Sequence, residues 1–161
     1  RLSLREFTPG DTEFVIELVN SPDWLKFIGN RNINTEIEAL DFIVNGPIKS
    51  YTENGYGLYV VELKSTNKPI GMCGIINRTF LNWPDIGFAF LPEYIGKGYG
   101  CEAAKATIEY AKNSLKLNKL CAITVANNTK SIHLLEKLDF TFSEIIILPD
   151  TKEKLQLYTN F

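Results

Sequence analysis

The sequence predicts one α/β domain over residues 1–161, built on a mixed, mostly antiparallel central sheet flanked by helices. Two observations predict this fold class. Apolar residues recur with the period of two that marks strands or the period of three to four that marks helices, in the order strand, two helices, three strands, helix, strand, helix, two strands. The crossover between residues 98 and 118 is long enough to make its flanking strands parallel. A chain of 161 residues buries roughly 70% of its unfolded surface in one core, and no repeat or linker divides it.

The first third of the chain predicts one strand followed by two helices. In chain order these are a strand in residues 1–7, a helix from Asp11 to the breaker at 20–22, and a helix from Thr35 to the breaker at 45–47. Thr35 and Glu38 form a capping box, which fixes the start of the second helix. The aromatic segment at 24–28 fits neither period. The two helices either cover a substrate or pack against the sheet, and packing is the preferred interpretation.

The rest of the chain predicts six further strands and two helices. The strand segments are 56–63, 69–76, 85–90, 119–125, 140–148 and 154–161. Asn67 and Lys68 form the turn between the first two of them. A long helix precedes the strand at 119–125, because apolar residues recur at spacings of three and four from Ala103 to Leu115. A shorter helix follows that strand.

The loop that precedes the long helix carries glycine at every second position, at Gly96, Gly98 and Gly100. Glycines let the main chain approach a ligand closely, and a helix N-terminus presents unpaired N–H groups and a partial positive charge. The loop therefore favours an anion such as a phosphate. It is not a Walker loop, since Lys97 is followed by glycine, and not a dinucleotide fingerprint, whose sixth position is Cys101 here.

This loop resembles the pyrophosphate loop of the GNAT N-acetyltransferases, whose pattern is Gln/Arg-x-x-Gly-x-Gly/Ala. Gly98 and Gly100 occupy the two small positions, and Ile95 departs from the first position. The segment PEYIGKGY at 92–99 is close to the sequence found in the branch that acetylates protein N-termini and small amines. For the loop taken alone, a tight connection without function is the alternative.

A second segment resembles the other signature of that family, an Asn-x-x-Ser followed by an apolar helix that ends in Glu-Lys-Leu-Gly-Phe. Asn128 and Ser131 occupy the polar positions, and EKLDF at 136–140 forms the ending. Asp139 replaces the glycine, which is tolerated because Asp adopts the left-handed conformation more readily than most residues. Both motifs stand in the order and at the separation that the family requires, and with the flanking strands they cover residues 56–161. The resemblance implies the GNAT acyl-CoA N-acyltransferase fold.

The resemblance also implies how the chain uses acetyl-CoA. Main-chain amides of the loop hold the pyrophosphate beneath a splayed pair of parallel strands, the neighbouring strand orients the thioester, Asn128 binds the pantetheine arm, and Ser131 protonates the departing thiolate. The implied cofactor-binding residues are Phe88, Ala89, Phe90, Ile95, Gly96, Lys97, Gly98, Tyr99, Gly100, Asn128 and Ser131. From the residues alone, Asn128 is a helix cap and Ser131 an ordinary first-turn serine, and these interpretations stay open.

Asp85 matches the position at which relatives carry an acid that accepts the proton of the attacking amine, often through water. With Ser131 it forms the implied catalytic pair. Amide formation requires a neutral amine, and an α-amino group with a pKa near ~8 is neutral far more often at pH 7 than a lysine with a pKa near ~10.4. The alternative for Asp85 is an exposed carboxylate at the start of a strand.

The implied function is transfer of an acetyl group from acetyl-CoA directly to a primary amine, with the ribosomal-protein N-terminal alanine acetyltransferases as the nearest branch. The alternatives are acetylation of a small molecule, such as a polyamine, an amino acid or an antibiotic, and a non-catalytic acyl-CoA-binding module. Trp24, Phe27 and Trp83 are candidates for the wall of the acceptor pocket or for the core. The expected partners are acetyl-CoA and an amine acceptor, in a monomer or a homodimer.

Composition excludes several other classes. A net charge of −2 without charge blocks predicts no binding to nucleic acid or to an anionic membrane. No apolar run approaches the ~20 residues of a membrane span, and no secretory segment is recognisable. One histidine, His133, and no Cys-x-x-Cys pair predict no metal site. The three cysteines, Cys73, Cys101 and Cys121, predict reduced buried thiols and a cytoplasmic protein. Because the sequence begins at Arg1, we expect further residues before it.

Overall fold

A computed structural model describes residues 1–161. Its strands are β1 (Leu2–Arg5), β2 (Leu58–Leu63), β3 (Lys68–Ile76), β4 (Asp85–Phe90), β5 (Cys121–Thr124), β6 (Thr141–Ile147) and β7 (Lys154–Thr159). Its helices are α1 (Thr12–Val19), α2 (Pro22–Phe27), α3 (Glu36–Ile43), α4 (Lys49–Asn54), α5 (Tyr99–Asn113) and α6 (Thr129–Lys137). Two 3-10 turns, at Pro9–Asp11 and Pro92–Tyr94, and a π-helical turn at Val44–Ile48 complete the regular structure.

All seven strands form one sheet in the order β1-β2-β3-β4-β5-β7-β6. Every neighbouring pair is antiparallel except β4 and β5, which are parallel. The prediction of a mixed, mostly antiparallel sheet is therefore confirmed, and so is the parallel pair on either side of the long helix. β4 lies against β3 without a shift in register, from Asp85 opposite Ile76 to Phe90 opposite Gly71.

Helices cover both faces of the sheet. On one face, α5 and α6 enclose a core of 15 buried residues, among them Val61, Cys73 and Leu135. On the other face, α1, α2 and α3 enclose a core of 12 buried residues, among them Val60 and Met72. Neighbours such as Val60 and Val61 enter different cores because successive side chains of a strand point to opposite faces. The helices near the start of the chain pack on the sheet, as the preferred interpretation held.

Local signals fix several ends of the elements. The N–H of Glu38 donates to Thr35 Oγ1, and Glu38 Oε2 accepts from the N–H of Thr35 at 2.9 Å, so the predicted capping box begins α3. Asp139 has a φ of 62°, the left-handed conformation predicted for it after α6. Each of these signals depends on residues only a few positions apart, which is why the sequence alone reveals them.

One predicted end is wrong, and one segment gains a structure. The helical chain does not end at 45–47 but continues through the π-helical turn to Asn54, where Gly55 terminates α4 with a φ of 75°. Pro47 lies inside this turn, whose wider hydrogen bonding accommodates a ring that would clash within a regular α-helix. The aromatic segment forms α2, which begins at Pro22, where the missing N–H would in any case be unpaired.

We expect Gly74→Ala to destabilise the protein. A Cβ atom at Gly74, in β3, would lie 2.1 Å from the carbonyl oxygen of Gly57 and 2.7 Å from the Cα of Leu58. Both atoms belong to the main chain, so relief requires the strands to shift, at a cost of about 1–3 kcal/mol. Gly46→Ala is the control, because a Cβ there meets nothing within 4 Å. Urea unfolding compares the two variants, and equal stabilities would contradict the prediction.

Candidate active site

The parallel strands β4 and β5 part to form a wedge. Their only paired residues are Asp85 and Cys121. Residues 121–124 of β5 pair with β7 on the other side, and β4 continues to Phe90 with β3 as its one partner. Because main-chain N–H and C=O groups need partners, the free edge of β4 can bind an extended ligand. The splayed pair of strands implied by the resemblance is present.

A row of unpaired main-chain N–H groups lies where β4 leads into α5. Gly96 and Gly98 have φ values of 80° and 84°, a conformation that glycine adopts without steric cost. The N–H of Ile95 donates to Pro92 at 3.2 Å, so the row begins at Gly96 and not at Ile95. The N–H groups of residues 96–101 have no acceptor in the protein. With the positive end of the α5 dipole behind them, they form an anion site.

Arg1 holds this loop in place. Its Nη1 donates to the carbonyl oxygen of Lys97 at 3.2 Å, and its Nε donates to Glu102 Oε2 at 2.8 Å. Its guanidinium also lies 4.4 Å from the ring centroid of Tyr99. Lys97 Nζ stays beside the loop, 5.6 Å from the ring centroid of Tyr94. The sequence analysis missed Arg1, because no local pattern connects it to Glu102, 101 positions away.

The start of α6 places Asn128 and Ser131 near the loop. Asn128 Oδ1 accepts a hydrogen bond from the main-chain N–H of Ser131 at 3.2 Å, which confirms that Asn128 caps the helix. Ser131 is half-buried, and its hydroxyl has no hydrogen-bond partner in the protein. A Cβ at Gly100 would lie 3.3 Å from Leu134 Cδ2, so glycine lets α5 and α6 approach closely. Ser131 lies one turn before Leu134 and hence on the side of α6 that faces the loop.

Asp85 is buried at the closed end of the wedge. Only 1% of its surface is exposed, so the alternative of an exposed carboxylate is wrong. Arg78 Nε lies 3.0 and 3.2 Å from the two carboxylate oxygens. Burial raises the pKa of Asp85 to about 6, because desolvation outweighs the charge and the hydrogen bonds of Arg78. Such a carboxylate is ionised at pH 7 but weakly stabilised, which suits it to accept a proton.

The aromatic candidates for the acceptor wall occupy different places. Trp24 is 6% exposed and belongs to the core beneath α1–α3, whereas Phe27 is half-buried. Trp83 is 37% exposed, and its ring centroid lies 4.7 Å from that of Phe161. Both of these rings line a cavity of about 430 Å³ that Cys121 also borders. Of the three candidates, Trp83 therefore lies at a cavity beside the closed end of the wedge.

The thiols and the histidine have simple environments. Burial raises the pKa of Cys73 to about 12, and burial followed by the charge of Asp85 does the same for Cys121. Both thiols are therefore protonated at neutral pH, and Cys101 is half-buried. His133 is exposed on α6. No group of three or more His, Cys, Asp or Glu side chains is placed to hold a metal ion. No helix has the length and apolar character needed to cross a membrane.

Sequence comparison shows similarity to one family over most of the chain. The model of the acetyltransferase (GNAT) domain matches residues 1–141. The chain is 29% identical over 143 residues to an uncharacterized N-acetyltransferase, p20, of Bacillus licheniformis, which covers 87% of this chain and 79% of that protein. It is 35% identical over 98 residues to the uncharacterized protein YkkB of Bacillus subtilis, and this match spans 58% of the chain and 57% of the relative.

Solved structures share the fold under different names. A GNAT-family acetyltransferase from Bacillus anthracis has a TM-score of 0.80 at 27% identity, over 99% of this chain and 93% of that one. A chimeric spermidine N-acetyltransferase derived from Vibrio cholerae has a TM-score of 0.78 at 20% identity, over 98% and 93% of the two chains. The ribosomal-protein-S5-alanine acetyltransferase of Vibrio fischeri has a TM-score of 0.74 at 19% identity, over 98% and 91%. These likenesses confirm the predicted fold and leave the acceptor open.

We expect Asp85 to make the protein less stable as the pH rises from about 4 to about 6. The pKa of an aspartate is near ~3.9 in an unfolded chain, and that of Asp85 is about 6 in the fold. The folded state therefore binds more protons than the unfolded state in this range, and the free energy of unfolding falls as these protons leave. Asp85→Asn should flatten that part of the pH profile, measured by urea unfolding.

Asp11→Asn is the control of opposite sign. Asp11 is also buried beside an arginine, but its pKa lies below the ordinary value: burial alone would raise it, and the bonds from Arg5 and Thr8 outweigh burial. Its contribution to stability is present above the unfolded pKa and is lost as the pH falls. Asp11→Asn should therefore cost most at neutral pH. An unchanged pH profile in Asp85→Asn would contradict the effect assigned to burial.

Proposed function

Because the chain belongs to the GNAT family of N-acetyltransferases, we propose that it transfers the acetyl group of acetyl-CoA directly to a primary amine at the closed end of the wedge. One observation carries the choice of site. The free edge of β4 runs into the unpaired N–H groups of residues 96–101. A ligand with an extended amide-containing arm and a diphosphate has the groups that satisfy both. Acetyl-CoA is such a ligand.

The proposed binding mode divides acetyl-CoA between the two motifs. The main-chain amides that begin at Gly96 bind the pyrophosphate, and Lys97 adds a positive charge beside them. The main chain of residues 88–90 orients the thioester. Asn128 binds the pantetheine arm through its side-chain nitrogen, since its Oδ1 already caps α6. A role for the helix cap and a role in binding are therefore compatible.

The proposed reaction forms one C–N bond and breaks one C–S bond. The neutral amine attacks the carbonyl carbon of the thioester, and the proton that the nitrogen loses passes to Asp85, directly or through water. The thiolate of coenzyme A leaves and takes a proton from the hydroxyl of Ser131, which water then reprotonates. Two properties support these roles: the pKa of Asp85 is about 6, and the Ser131 hydroxyl is free of other partners.

Two acceptor classes fit this chemistry, a protein N-terminus and a small-molecule amine. With a pKa near ~8, an N-terminus needs less help from a base than a more basic amine does. An ionised Asp85 allows the more basic amines as well. For the location of the protein, we propose the cytoplasm, and the three free cysteines support it.

We expect Gly98→Val to abolish coenzyme A binding in a protein that stays folded. Gly98 has a φ of 84°, which strains a β-branched residue, and a Cβ there would lie 3.3 Å from Arg1 Nη2, so the loop would change its course. Gly55→Val is matched in strain, with a φ of 75°, but nothing lies within 4 Å of its Cβ position. Calorimetric titration with coenzyme A measures the affinity, and circular dichroism checks the fold. Retained binding in Gly98→Val would count against the anion site.

Ser131→Ala should lower turnover far more than it lowers acetyl-CoA affinity. The loss of a proton donor to the leaving thiolate should reduce kcat by about a hundredfold. Thiol release from acetyl-CoA, followed across a panel of amines, measures turnover. Thr129→Ala removes an exposed hydroxyl from the same helix and should change neither quantity. Unaltered turnover in Ser131→Ala would refute the role, and acetyl-CoA binding without turnover on any amine would favour a non-catalytic binding module.

A further inference from the structure

The arginines of this protein differ in how fully carboxylates engage them. Arg5 donates to Asp11 through both Nη groups and to a second carboxylate through Nε. Arg78 donates to Asp85 through Nε alone, and its two Nη groups have no partner in the protein. Arg31 makes no hydrogen bond and no ion pair. The guanidinium donors beside Asp85 are therefore mostly unused.

Arg31 and Arg78 lie close enough to repel each other. Desolvation, and after it the charge of Arg78, lowers the pKa of Arg31, and no carboxylate acts on Arg31 in the opposite direction. The two arginines come from different loops, Arg31 from the segment between α2 and α3 and Arg78 from the segment between β3 and β4. Around Asp85, two guanidinium charges thus face one carboxylate. An additional anion would relieve this imbalance.

We propose that Arg31 and the Nη groups of Arg78 bind a carboxylate of the acceptor, so that the acceptor is a small amine that carries a carboxylate, as an amino acid does. This inference rests on the proposed acetyl transfer and specifies its substrate class. Guanidinium groups match the planar geometry of a carboxylate better than any other side chain. Both groups are accessible, since Arg31 is exposed and 30% of the Arg78 side chain is exposed.

The arrangement fits the spacing between the two charged groups of an amino acid. Asp85 and Arg78 belong to one ion pair, so an acceptor with its nitrogen at Asp85 reaches the Nη groups with a carboxylate only one or two carbons away. A polyamine brings several positive charges to a place that already has an excess of them. A peptide N-terminus without an acidic side chain brings no carboxylate to the arginines.

Matched pairs of acceptors test the proposal. Thiol release from acetyl-CoA is measured with α-amino acids and β-alanine, each compared with its own carboxamide, and with spermidine. We expect the best carboxylate acceptor to have a kcat/KM about ten- to hundredfold above that of its carboxamide, which is the effect of a hydrogen bond to a charged group. The carboxamides have the less basic amines, so their chemistry alone would favour them. Comparable rates for the two forms, or a preference for spermidine, would overturn the proposal.

Arg31→Met isolates the carboxylate contact. It should raise the KM of the carboxylate acceptor about tenfold and leave the carboxamide unchanged, and Arg31→Lys should retain part of the effect. Lys26→Met removes an exposed cation from nearby α2, where Lys26 Nζ lies 4.9 Å from the ring centroid of Phe27, and should change neither KM. An equal change for both acceptor forms in Arg31→Met would mean that Arg31 acts on the fold and not on the carboxylate.

A failure of the proposed function gives a different result. If coenzyme A binds and no amine is acetylated, transferase activity is excluded, and the arginine site is tested by calorimetric titration of the coenzyme A-saturated protein with the same amino acids. Heat that disappears in Arg31→Met and persists in Lys26→Met would support the carboxylate site. The absence of heat with every amino acid would overturn it.

Discussion

The parting of β4 from β5 is the constraint on which the rest of the site depends. β5 meets β4 at a single residue pair, Asp85 and Cys121, and directs its other pairing to β7. If the parallel ladder continued, it would satisfy the edge of β4 in the way that β3 satisfies the opposite edge. The wedge therefore follows from the choice of strand partners, and a long ladder between β6 and β7 stabilises that choice. A ligand in the wedge takes the place of the missing strand.

Two buried carboxylates show how the number of donors determines what an aspartate can do. Asp11 receives both Nη groups of Arg5 and the N–H of Thr8, and its pKa is lowered. Asp85 receives a single nitrogen from Arg78, and burial raises its pKa to about 6. The first arrangement stabilises the charge and gives a structural ion pair. The second leaves the charge poorly stabilised, which a proton acceptor requires.

The sequence predicted best those features that depend on neighbouring residues. The capping box of α3, the cap at Asn128 and the left-handed Asp139 each involve residues within a few positions, so their physics is local. Pro47 misled the prediction of a helix end, because the π-helical turn that accommodates it depends on the chain before and after it. The exposure of Asp85 was open for a similar reason, since its burial depends on strands that are remote in sequence.

The two halves of the site therefore differ in how far a sequence reveals them. The diphosphate end is formed by one contiguous loop and the first turn of α5, so a short motif specifies it. The acceptor end combines β4 with two arginines from separate loops, and its charge balance exists only in the folded chain. Substitutions in these loops alter the acceptor without altering the sheet or the anion site. One fold can therefore carry spermidine and ribosomal-protein acetyltransferases among its solved structures, and the acceptor must be argued from the side chains around Asp85.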